Sequence, residues 1–117
     1  MKEDFNKFLP LSPAALHILL ALVSEDRHGY GIMLDVARQS DDRYKLGPGT
    51  LYDNLEKLLN QGVVEESTRR SLADDRRRRH YRLTRFGRRL LATEITRLEG
   101  VVRKARLHLR VRPEKAS

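Results

Sequence analysis

The chain has 117 residues and a mass of 13.6 kDa, room for one ordinary domain and too little for two. Hydrophobic residues make up 39% and charged residues 34%, enough for one modest core; the absence of cysteine excludes disulfides, thiolate metal sites and cysteine redox switches. A formal net charge of +8 points toward a polyanionic partner. No apolar run approaches the roughly 20 residues that cross a bilayer. The first residues show no basic region followed by an apolar stretch, so neither a membrane anchor nor a signal peptide is expected. A cytoplasmic location is the expectation.

Residues 1–11 are mixed in character and read as a loose N-terminal arm. Ser12-Pro13 then reads as a helix start, a hydroxyl N-cap followed by proline at the first helical position. Leu16, Leu19, Leu20 and Val23 repeat at helical spacing, which predicts a helix over about 12–25. A polar connector through Glu25-Asp26-Arg27-His28 follows, with His28 as a helix-start or packing residue. A second helix is predicted over about 29–40, with Tyr30, Met33, Leu34 and Ala37 on one stripe. Asp41-Asp42-Arg43 ends it. A third helix runs from Pro48 to about Asn60, buries Leu51, Leu55, Leu58 and Leu59, and stops at Gly62. Residues 63–68 and 78–83 suit two strands of a hairpin, with Tyr81 and Leu83 on one face of the second. Thr84 caps a last helix over about 85–110.

The fold class is therefore mainly α with a small β-hairpin: a winged helix-turn-helix with a long C-terminal dimerisation helix. Its expected divisions are the arm 1–11, the DNA-binding domain 12–83, the dimerisation helix 84–111 and a flexible tail 112–117.

Charge placement says more than charge total. Ten arginines and two aspartates lie between Arg69 and Arg89, and the 14 basic and 14 acidic residues elsewhere cancel. A local excess of this kind argues for a binding face. Arg70, Arg76, Arg77, Arg78 and Arg79 sit at or near the hairpin tip, where a basic loop suits the phosphate backbone or minor groove. In a helix-turn-helix the second helix of the pair enters the major groove and presents its N-terminal residues to bases. Here that helix turns Thr50, Asp53, Glu56, Lys57 and Asn60 outward, with Tyr52 and Asn54 on its flanks. Lys45, Thr50, Tyr52, Asn54 and Lys57 complete the candidate DNA-binding set, and Asn54 and Lys57 are the ones expected near base edges. Asp53 and Glu56 repel phosphate and must sit toward bases or away from the duplex.

The last helix carries Leu91, Ile95, Leu98, Val102, Ala105 and Leu109 at spacings of 4, 3, 4, 3 and 4, an a/d seam for a second copy of the chain. The four histidines are scattered, no glycine run forms a phosphate loop, and no serine or aspartate lies in a nucleophile motif. No metal, no cofactor and no catalysis are expected.

Three segments resemble the PadR-like transcriptional regulators. They are His28-Gly29-Tyr30-Gly31, then Gly47-Pro48-Gly49-Thr50-Leu51-Tyr52, then Leu55-Glu56-Lys57-Leu58-Leu59-Asn60-Gln61-Gly62-Val63-Val64. The run from Arg78 to Gly87, with Tyr81-Arg82-Leu83-Thr84, fits the same pattern, and the similarity spans about residues 11–110. The resemblance implies a dimeric DNA-binding repressor in which Thr50, Tyr52 and the wing from Arg70 to Arg79 touch the DNA backbone. Acidic Asp53 and Glu56 depart from the commoner pattern, and the C-terminal part is short, with one helix, as in the smaller members. Some members respond to small molecules; no effector chemistry is identifiable here. The expected function is a sequence-specific regulator, a homodimeric repressor at a roughly palindromic operator on double-stranded DNA. The alternatives are a non-specific architectural nucleic-acid-binding protein, and an interaction module whose seam pairs with a different chain.

Overall fold

A computed structural model describes residues 4–67 and 79–109. A 3-10 turn (Asn6–Phe8) precedes α1 (Pro13–Ala21), β1 (Arg27–His28), α2 (Gly29–Gln39), α3 (Pro48–Asn60), β2 (Val64–Glu66), β3 (His80–Leu83) and α4 (Arg85–Leu109). The three strands form one antiparallel sheet in the order β1-β3-β2, with Arg27 opposite Tyr81 and Val64 opposite Leu83. Three helices followed by a strand hairpin, with a third short strand on its far edge, make this a winged helix.

The helix starts follow from side-chain oxygens or nitrogens placed to accept otherwise unpaired amides. Ser12 Oγ accepts from Ala15 N–H at 3.1 Å, His28 Nδ1 from Gly31 N–H at 3.0 Å, and Thr84 Oγ1 from Gly87 N–H at 2.9 Å. Thr84 also donates to the Gly62 carbonyl at 2.6 Å, tying the start of α4 to the end of α3. Helix α2 ends where Asp41 and Asp42 take left-handed φ values of 51° and 63°, a conformation aspartate tolerates better than most residues. Gly62, at φ 73°, turns the chain out of α3 into β2.

The core joins Ile18, Leu19 and Leu22 to Ile32, Val36, Leu51, Leu55 and Val63, with Tyr81, Leu83, Leu90 and Leu91 closing it from the sheet and α4. Four expectations change here. The first helix stops at Ala21, so Val23 lies beyond it and is exposed; of the expected stripe Leu19 is buried, Leu16 and Leu20 are half-buried, and Ala15 and Ile18 take the inner face with Leu19. That helix is apolar on nearly every side, so periodicity could not choose its inner face. In α2 the buried stripe is Gly29, Ile32 and Val36, while Tyr30 and Leu34 are exposed. Both stripes have helical spacing and differ by one residue of rotation; the compact β-branched pair takes the inside. The connector before α2 contains β1, which pairs with β3. Finally, the arm is packed: Phe5 and Phe8 meet Phe86 of α4 at ring-centroid distances of 5.5 and 5.4 Å.

Candidate nucleic-acid interface

Helix α3 hangs on the core by Leu51, Leu55 and Leu58, which leaves Thr50, Tyr52, Asp53, Glu56, Lys57 and Asn60 exposed. Its first turn is bare. Gly47 occupies the N-cap without a side chain to cap the opening amides, Pro48 lacks an N–H, and the space beside both Gly47 and Gly49 is open. Unpaired amides at a helix start favour an anion that can come close. Lys45 is exposed in the loop just before them.

Tyr52 is held by its neighbours. Its ring lies so close to Gly29 that a Cβ there would meet the hydroxyl oxygen at 2.2 Å. The start of α2 and the start of α3 thereby lie side by side, and Tyr52 remains 48% exposed. Tyr81 of β3 sits nearby. Its burial, with Tyr52 and Glu66 adding to the effect, pushes its phenol above the ordinary tyrosine value, so it is a neutral packing group at the base of the hairpin.

Asn54 and Lys57 do not share this front. Asn54 is half-buried and its amide donates to the Thr50 carbonyl at 2.8 Å. Both side chains line a groove of about 200 Å³ between α3 and the N-terminal segment, with Lys7, Phe8, Leu58 and Leu90. Helical spacing alone does not reveal that residues 5–11 fold back beside this flank.

Of the candidate arginines, Arg70, Arg76, Arg77 and Arg78 lie outside the described residues. Arg79 is exposed, 3.7 Å from Glu66 across the hairpin base, and Arg82 donates to Glu65 at 2.8 Å. Such exposed pairs are worth little and exchange readily for a phosphate.

Along the expected seam, the structure divides the residues. Leu91 is buried in the domain's own core, Ile95 packs against that core, and Leu98 is half-buried. Val102, Ala105 and Leu109 are exposed, as is every other residue from 101 to 109. The first part of the heptad pattern is therefore taken up inside the domain, and the last part faces outward.

Among the described residues no group of His, Asp or Glu is placed to hold a metal ion, and no helix is long and apolar enough to cross a membrane.

The model of the PadR-like family of transcriptional regulators matches residues 18–93. A transcriptional regulator from Mycobacterium tuberculosis, Rv3488, is 34% identical over 89 residues, covering 76% of this chain and 78% of its own. Among solved structures, a transcriptional regulator from Clostridium thermocellum superposes with a TM-score of 0.66 at 21% identity, covering 96% of this chain and 99% of that one. Bacillus subtilis PadR in complex with operator DNA superposes with a TM-score of 0.62 at 21% identity, over 74% of this chain and 48% of that one. At these identities the two structures speak to the fold.

Proposed function

The chain belongs to the PadR-like family of transcriptional regulators, and from that premise we propose that it binds operator DNA as a homodimeric repressor. The carrying observation is the exposed, uncapped first turn of α3 with Tyr52 fixed beside it. In this reading α3 enters the major groove. Thr50, the opening amides and Tyr52 bind phosphates, and Lys45 reaches the adjoining backbone. Asp53 and Glu56, repelled by phosphate, face bases, where a carboxylate accepts from a cytosine amino group. The wing from Arg70 to Arg79 follows the flanking backbone, where its arginines neutralise phosphates; Bacillus subtilis PadR, which shares the fold, is solved in complex with operator DNA.

The second copy pairs through the outward end of α4, at Leu98, Val102, Ala105 and Leu109. Two α3 helices then meet half-sites near one helical turn apart on a roughly palindromic operator, and occupancy blocks a promoter.

Footprinting on the DNA upstream of the protein's own coding region tests this reading. The expected result is a protected, two-fold-related site bound at least about 10³-fold more tightly than random DNA at physiological salt. Equal affinity for random DNA would instead assign the +8 stretch a non-specific, architectural role.

A further inference from the structure

The N-terminal segment is fastened to α4 by a buried carboxylate. Glu94 is 1% exposed, and a buried charge of this kind is tolerated only when it is paired and hydrogen-bonded. Arg97 donates to both its oxygens, at 2.6 and 3.0 Å, and Leu11 N–H donates to Oε2 at 2.9 Å. The Arg97 hydrogen bonds, aided by the Leu11 amide, hold the Glu94 carboxyl below its ordinary value despite burial, so it stays ionised. The bond to Leu11 spans 83 residues of sequence and, with Phe5 and Phe8 on Phe86, fixes where Lys7 stands.

Lys7 and Lys57 line the same groove on the flank of α3, and the Lys7 ammonium lies 5.5 Å from the centre of the Phe8 ring. Among the described residues neither lysine is ion-paired, and no carboxylate lines the groove. Two cations facing one groove without a counter-charge select an anion. At about 200 Å³ the groove is below the size of ordinary small-molecule sites, about 300–1,000 Å³, and suits a single phosphate group. It also adjoins the helix read above as the one in the major groove.

We propose that this groove seats a DNA backbone phosphate between Lys7 and Lys57, and that Glu94 is the positioning residue that keeps Lys7 there. This rests on the DNA-binding reading. It makes the N-terminal segment part of the interface and joins that interface directly to α4.

The experiment is a salt titration of binding by the full chain to its footprinted operator. Lys7→Ala should flatten the log–log slope by about 2 per dimer, from about 0.9 per phosphate lost in each protomer, with an unchanged thermal midpoint. Lys7→Arg should restore the slope. Glu94→Gln should lose the same slope as Lys7→Ala, and the double variant should lose no more than either. A wild-type slope in Lys7→Ala overturns the proposal. So does a wild-type slope accompanied by loss of inorganic phosphate binding at the groove's amide resonances, which would make the groove a site for free anions. If the unaltered protein binds no operator at all, it is the regulator reading that fails; a steep wild-type slope indifferent to Lys7 removes this inference alone.

Discussion

Two glycines mark opposite kinds of close contact. A Cβ on Gly87 would lie 2.1 Å from the Val63 backbone carbonyl, and a Cβ on Gly29 would lie 2.2 Å from the Tyr52 hydroxyl. The first obstacle is main chain and cannot move without shifting α4 from the sheet. Gly87→Ala should therefore cost about 1–3 kcal/mol of stability, measured by denaturant unfolding. The second obstacle is the tip of a side chain that swings away. Gly29→Ala should leave stability nearly intact, yet displace Tyr52 and weaken operator binding roughly tenfold, the worth of one hydrogen bond to a charged phosphate. Leu55→Ala serves as the contrasting core change, at about 2–5 kcal/mol. The caps at Ser12 and Thr84 are legible in the sequence because capping is local chemistry. The role of Gly29 is not, because it depends on a tyrosine 23 residues later in the chain.

At the scale of elements, the legible parts are those with long periodic patterns: α3 over Pro48–Asn60 and α4 over Arg85–Leu109. Strand β1 has two residues, too few to alternate, and shows only through its pairing with β3. The N-terminal segment escaped notice because its anchor, Glu94, is a charged residue whose burial no hydrophobic pattern announces. Its acid sensitivity follows from the direction of its shift. The folded-state value lies below the unfolded value near 4.5, so the stabilisation is complete above that pH and is lost as pH falls through the lowered value. Glu94→Gln should flatten the loss of thermal stability from about pH 5 downward. On α4, Val102 is exposed and serves no packing role inside the domain. Val102→Asp should give a folded monomer by light scattering where the unaltered chain gives a dimer. A monomer in both would remove the seam reading.

For the whole molecule, the decisive feature is that the net charge is concentrated between Arg69 and Arg89. Replacing Arg76, Arg77 and Arg78 with Ala should flatten the salt dependence of binding by several units, at about 0.9 per phosphate, and weaken operator and random DNA by similar factors. A wild-type slope would move the electrostatic footprint to Arg82, Arg85, Arg88 and Arg89. The length of α4 carries a different consequence. Its 25 residues span about 37 Å, and over residues 101–109 no side chain is buried. A stretch of helix that short is marginal in water without tertiary contacts. In the lone chain, the amides of residues 101–109 should exchange with deuterium within the first moments, and mixing at higher protein concentration should slow them. If α4 pairs with a second copy as proposed, order at this end of the molecule is set by mass action, and the number of copies in a cell would then determine how much of the protein is assembled.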